Sequence, residues 1–439
     1  MPPVKPHPQP VIRGVFLILS MLAITLLGNR VAGAGDWPHW RGPNRDDIVA
    51  EPSGWRDGQW RLDQQWQTNV GPGSTSPLVV GNHLYVMGWE QGRDHVLCLD
   101  AGSGREQWRV SYEAPRYGRQ ATGDQWAFAG PTSTPEYDPA TGFLYTLGVD
   151  GDLQCWDTGE SGKRVWGINL YERFRVGQRP KVGRAALRDY GYTTAPMVHG
   201  DWLLVEAGSD EGNLVALDKR TGARRWSSEN RDPAGHTGGL APIAVQGVPC
   251  VALLTLKNLV VVRLDDGHAG QTVAEYPWVT DYANNVASPA VHGNEVLVTS
   301  GYNQRAMVKL RITLSGAAEV WKTRLFSKVC TPVIHKGNVY WSWRAIHCLD
   351  FQTGQPHWEG GVTGEEGSVV VTADDRLIVL ADNGRLHLIE GPDRAPHRYE
   401  SLAARERLFA TEAWPHVVIA GGRLFCKDRA GNLVCLGIR

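Results

Sequence analysis

Two stretches of this chain crowd cations among aromatic rings. Between Trp108 and Pro135 lie Arg116, Tyr117, Arg119 and Trp126, and between Trp166 and Pro196 lie Arg173, Arg175, Arg179, Lys181 and Tyr192. A guanidinium fork pairs with carboxylate or phosphate oxygens and stacks on flat rings, so this mixture suits a small anionic or planar ligand or a protein partner. The same composition also serves as solvated cover, the commoner fate of a charge run. His236 and Asn285 add polar groups at strand ends expected to face a common axis, beside Ser74, Thr132, Thr193 and Lys328.

Motifs with a fixed chemistry fail on context. Gly159-Glu160-Ser161-Gly162-Lys163 resembles part of a phosphate loop, but Arg164 stands where Ser or Thr should hold magnesium. Asp150-Gly151-Asp152 and Asp210-Glu211-Gly212-Asn213 have calcium-ligand types, yet sit where hairpins need residues tolerant of positive φ. They read as turns, and no metal site is expected at either. No haem, zinc-protease or nucleophile-elbow pattern occurs in the chain, so no catalytic residue is assigned.

The elements that must position these residues repeat along the chain. One unit runs from Ser76-Pro77 through a Gly81-Asn82 turn and an apolar strand to Leu99-Asp100, then turns at Gly104 and reaches Trp108. Others start at Pro135, Pro196, Pro242, Pro289, Pro332 and Pro415, and a copy without proline lies near Gly367-Ser368. That makes eight units, each reading as four short strands of alternating apolar residues between Gly, Asn and Asp turns. The expected fold is all-β: an eight-bladed β-propeller of four-stranded antiparallel blades. The last unit ends at Arg439 before any Trp strand, and an unassigned strand around Trp66 precedes the first unit. That N-terminal strand should therefore complete the last blade and close the ring.

Most of the 18 Trp are expected to pack between blades, Trp108, Trp226 and Trp358 each following an Asp by eight residues. Loop lengths single out one face of the disc. From Trp226 to Pro242 the blade connection takes 16 residues, whereas the two cation-bearing connections take 27 and 30. Cys98, Cys155, Cys348 and Cys435 share one repeat register and cannot meet one another, while Cys426 and Cys435 flank a hairpin and could pair across it.

The N-terminus bounds the compartment. Lys5 and Arg13 precede an apolar run of 14 residues from Gly14 to Leu27, and Ala32-Gly33-Ala34 offers a cleavage site. Residues 1–34 thus read as a signal peptide, leaving 35–439 as one exported domain, periplasmic or extracellular, without a stable membrane span. The formal charge of −1 becomes −4 once Lys5, Arg13 and Arg30 are removed, which is no balance for nucleic-acid binding.

The pattern at Leu99-Asp100, Gly104 and Trp108, repeated at Leu217-Asp218, Gly222 and Trp226, resembles the repeat of the pyrroloquinoline-quinone (PQQ) propeller superfamily. Trp37-Pro38-His39-Trp40-Arg41-Gly42-Pro43-Asn44-Arg45 and Asn285-Val286-Ala287-Ser288-Pro289 resemble exported PQQ-like repeat proteins of planctomycete type. The superfamily holds quinoprotein alcohol dehydrogenases and the propeller subunit of the outer-membrane assembly machinery. The chain lacks the vicinal Cys-Cys pair that many of those dehydrogenases carry, and Asp281, Asn285 and Glu206 match only the residue types of their calcium and catalytic groups. The resulting expectation is a non-catalytic ligand- or protein-binding scaffold of the bacterial envelope, with a PQQ- and calcium-dependent oxidoreductase as the alternative.

Overall fold

The computed structural model describes residues 1–3, 35–122, 130–184 and 187–438. Eight four-stranded antiparallel sheets form the blades, spanning 78–113, 136–169, 197–227, 241–277, 290–323, 333–360, 367–405 and 418–438. Strand β1 (Leu62–Asn69) pairs with Asn432–Ile438, from Leu62 opposite Ile438 to Asn69 opposite Asn432. The eighth blade is thus completed by the N-terminal strand, and the ring is closed by main-chain hydrogen bonds. The proposed signal peptide falls almost wholly outside the described residues.

Blade 1 shows how the repeat folds. It contains β2 (Leu78–Val80), β3 (His83–Glu90), β4 (Arg93–Asp100) and β5 (Glu106–Glu113). The middle strands β3 and β4 are nearly continuously buried, whereas β5 is half exposed along its length. A uniform alternation of apolar residues was expected, but neighbouring blades cover both faces of the middle strands, which therefore read as apolar runs.

The Asp, Gly and Trp of the repeat work as one joint. The Asp100 carboxylate accepts hydrogen bonds from the Ser103 backbone N–H at 2.8 Å and hydroxyl at 2.7 Å, and the chain then passes Gly104 at φ +70°. A Cβ on Gly104 would lie 2.6 Å from the Trp66 ring of the preceding blade. Gly162, Gly222 and Gly354 receive Trp108, Trp166 and Trp321 in the same way. Each Trp therefore lands on the next blade's glycine turn, and the Trp66 indole N–H donates to the Ala101 carbonyl at 3.1 Å.

All seven thiols are free and buried. Cys435 lies opposite Phe425 and Cys426 opposite Val434, so the two point to opposite faces of the sheet and the pairing considered from sequence does not form. In blade 5 the register of Cys98 holds Lys309, opposite Leu297 and Trp321. Its ammonium is fully buried, 2.7 Å from Glu295, 3.2 Å from the Phe351 carbonyl and 3.9 Å from the Phe351 ring centroid. This interior charge was not foreseen.

Candidate functional site

A cavity of about 460 Å³ occupies the propeller axis. Its walls are the first residues of the innermost strands and the loops leading into them, including Ser74, Thr132, Thr193 and Thr237. Both long insertions reach its mouth: the first contributes Tyr117 and Ala121, the second Arg188, Asp189 and Tyr190. Thr122 N–H donates to the Asp189 carbonyl at 2.9 Å, and the Gln178 amide donates to the Gln120 carbonyl at 2.7 Å, so the two insertions support each other.

The floor comes from residues 37–49, which enter the channel from the opposite face. Trp37 bridges to Val79 of blade 1, and Val49 N–H donates to the Val371 carbonyl of blade 7 at 2.9 Å. Glu136 of blade 2 is fully buried and meets His39 at 3.0 Å and Arg45. Burial opposes the Glu136 charge, but Arg45 and His39 outweigh it and hold the carboxyl below its ordinary range. Arg41 pairs with Asp47 and donates to the Pro332 carbonyl of blade 6 at 3.0 Å, and Asp47 lies 3.1 Å from His416 in blade 8. The Trp40 ring lies so close to Gly239 that a Cβ there would sit 2.4 Å away, and its N–H reaches Ser288 before blade 5 at 3.3 Å. Trp40 and His416 both line the cavity, which this segment closes from below.

The sequence-predicted site residues separate into three groups. Tyr117 and His236 line the cavity. Arg116, Arg119, Arg173, Arg175 and Lys181 lie exposed on the insertion face. Arg116 stacks over Trp89 and Tyr117, at 5.6 and 5.3 Å, and Arg119 pairs with Asp150 at 3.0 Å. Arg175 adopts φ +55° as the C-cap of the short helix Leu170–Phe174. Trp126 lies outside the described residues.

Three expectations need correction. Arg179 is 3% exposed and structural: it donates to the Ala234 carbonyl at 2.9 Å and Asp189 at 3.0 Å, and covers the Tyr192 ring at 4.6 Å. Tyr192 is equally buried, its hydroxyl donating to the Ala207 carbonyl at 2.7 Å. Asn285 is fully buried behind the wall, donating to the Thr255 carbonyl at 2.9 Å. Arg188 and Glu366, which the sequence places in the second insertion and near the axis, line the cavity, whereas sequence reasoning missed Asp189 and Trp40. The signal for Trp40 is its place in a Trp-, His- and Arg-rich stretch between two prolines.

His236 is held on both sides. Its Nδ1 lies 2.9 Å from the Ala283 carbonyl, and its Nε2 accepts the Tyr190 backbone N–H at 3.1 Å. Those partners define a neutral ring with the proton on Nδ1. Burial pushes the imidazole below its ordinary value, in agreement. Burial opposes the Asp189 charge as well, but the Arg179 guanidinium and backbone N–H hold that carboxyl below the usual range. Cys330, a lining thiol, is pushed up to about 12 by burial.

The cavity does not gather the donors that calcium beneath a quinone would need. The Glu206 carboxylate lies behind the wall, accepting from the Thr194 hydroxyl at 2.6 Å and the Gly235 N–H at 2.8 Å. Asp281 accepts the Arg184 N–H at 2.6 Å. Among the described residues, no three His, Cys, Asp or Glu side chains form a metal-binding group.

A family model described as outer membrane protein assembly factor BamB matches residues 92–360. BamB from Moraxella catarrhalis is similar in structure, with a TM-score of 0.55 at 13% identity over 86% of this chain and 100% of that one. Quinohemoprotein alcohol dehydrogenase from Comamonas testosteroni gives 0.65 at 14% identity over 94% of this chain and 81% of that one. No curated protein sequence matches the chain. At these identities the solved structures show a shared fold, whereas the family model spans more than half of the chain. With its eight repeat blades and this match, the chain belongs to the PQQ-like propeller family described as outer membrane protein assembly factor BamB.

Proposed function

We propose that this protein is a non-catalytic binding propeller of the bacterial cell envelope, exported by residues 1–34, that receives a small anionic or planar ligand or a loop of an envelope protein at its axial cavity. The observation that carries the reading is the state of His236 and Asp189. Both imidazole nitrogens are engaged by backbone groups, and the carboxylate is neutralised by Arg179 within the protein. A general base needs a free lone pair near the substrate, and His236 offers none. Around it, Tyr117, Tyr190, Tyr282 and Tyr302 give flat apolar surface, and Arg188 gives positive charge, whereas Lys328 is paired with Glu365. That is a lining for recognition.

The test is a titration of the purified mature protein with PQQ in the presence of calcium, followed by visible absorption and calorimetry, with calcium alone as reference. Dye reduction is assayed with alcohols, aldehydes and sugars. The expected result is no saturable PQQ-dependent signal and no turnover. Stoichiometric PQQ binding with substrate-dependent dye reduction would replace this reading by a quinoprotein oxidoreductase.

A further inference from the structure

Away from the axis, a wedge between the first two blades holds more negative charge than its surroundings neutralise. Asp94 on β4 lies opposite Tyr112 on β5. Asp94 is 1% exposed, and neither of its carboxylate oxygens has a hydrogen-bond partner. The Tyr112 hydroxyl sits beside it but makes no hydrogen bond of acceptable geometry. Both groups are aimed at Gly148 of blade 2, where a Cβ would lie 2.8 Å from Asp94 Oδ2 and 3.0 Å from the Tyr112 oxygen.

Blade 2 answers with further carboxylates. Asp152 accepts one hydrogen bond, from the Asn169 amide to Oδ1 at 3.2 Å, and its buried Oδ2 has none. The Gly148 N–H donates to the Asp152 carbonyl at 3.1 Å, so Asp152 flanks the glycine at which Asp94 is aimed, and Asp150 and Asp152 both repel the Asp94 charge. Among the described residues, the cation that reaches this side is Arg119, half exposed, 3.0 Å from Asp150 but 3.7 Å from Asp152 Oδ2. Beyond the Tyr112 hydroxyl, no donor or cation among the described residues pairs with the Asp94 oxygens, and a buried unpaired carboxylate is strongly unfavourable.

We propose that this wedge is a binding site for a calcium-class divalent cation, held by Asp94 through both oxygens and by Asp152 through Oδ2, with the Tyr112 oxygen facing it. The donors are all oxygen, which selects a hard cation, and calcium accepts a bidentate carboxylate in an irregular shell completed by water. Read from sequence, Asp150-Gly151-Asp152 was only a turn. Asp150 is taken by Arg119, while Asp152 lies at a blade boundary that sequence could not bring together. Two carboxylates make a weak site, with a dissociation constant on the order of 10⁻⁴–10⁻³ M. The ion would join blade 1 to blade 2 beside the stacked rings of Tyr112 and Trp156. The proposal is independent of what the axial cavity binds.

The rival occupant is a proton, because burial pushes the Asp94 carboxyl up to about 7. Chelator-treated full mature protein is titrated with calcium and with magnesium by calorimetry, and its melting temperature is followed with and without millimolar calcium. One calcium per chain is expected, with a raised melting temperature, and Asp94→Asn and Asp152→Asn should each weaken binding at least tenfold. Asp94→Asn removes an unpaired buried charge, so in chelator it should melt no lower than the native protein. If it fails to fold, Asp152→Asn alone carries the test. Absence of binding at millimolar calcium, or affinity unchanged in the variants, would overturn the proposal. So would a melting temperature that rises on acidification through about pH 7 and ignores calcium, the signature of a proton on Asp94.

Discussion

The floor and the mouth of the axial cavity are both made of arginines and aromatic rings, and they use them in opposite ways. In the floor, Arg41 is 4% exposed and spends its donors on Asp47 and the Pro332 carbonyl, and Arg45 is taken by Glu136. On the insertion face around the mouth, Arg173, Arg175 and Lys181 stand in solvent, and no carboxylate meets them among the described residues. A buried guanidinium is bound to the fold by the cost of leaving its partner unpaired, whereas an exposed one costs almost nothing to redirect toward a ligand. Arg179 is the instructive case, since it lies in sequence with the mouth but follows the physics of the floor.

The largest effect should come from cutting the floor away. Deleting residues 36–69 removes both the axial segment and β1, leaving Asn432–Ile438 without its outer partner. The deletion is expected to abolish the cooperative thermal transition, and a retained native melting curve would show that the ring closes without it. Next in size, Arg179→Ser should destabilise by about 3–5 kcal/mol, because Asp189 is left buried without its guanidinium. An unfolding midpoint like that of Arg173→Ser would return Arg179 to the solvent-facing group.

A smaller effect is expected from pH. Burial lowers the His236 pKa in the folded protein, so the unfolded chain binds the proton more readily. Stability from this group is therefore complete above the unfolded value of about 6.5 and declines as pH falls below it. His236→Gln should reduce the loss of melting temperature between about pH 7.5 and pH 5.5. It should not abolish it, since burial also lowers His95, His199 and His387. A slope identical to that of the native protein would mean that His236 titrates normally. Smallest of all, Arg173, Arg175 and Lys181 replaced together by Ser should move stability by less than about 0.5 kcal/mol. Ligand or partner capture should weaken at the same time, and a large drop in melting temperature would place these cations in the fold instead of at the binding surface.

Much of the architecture could be read before any coordinates because its cause is local. An Asp, a Gly at positive φ and a Trp within nine residues build a turn and a ring that docks on the next such turn, so the period in the sequence is the period of the blades. The unpaired Trp66 strand foretold closure because a truncated last unit left one strand short. The site was less legible. Tyr117 and His236, singled out from sequence, line the cavity, but Asp189 looks like any loop acid until Arg179 and His236 close around it.

What the amino-acid order determined alone was therefore the repeat: eight blades, their joints, and the face on which two connections are long. Those depend on neighbours a few residues apart, whose turn preferences and apolar spacing act whatever the rest of the chain does. The tertiary structure decided which charges are interior. Lys309 meets Glu295 of its own blade and Phe351 of the next, Glu136 meets His39 and Arg45 across more than 90 residues, and Asp94 is aimed at Gly148 across a blade boundary. Burial and partnership set the state of each group, and both are properties of surfaces that come together only when the ring closes.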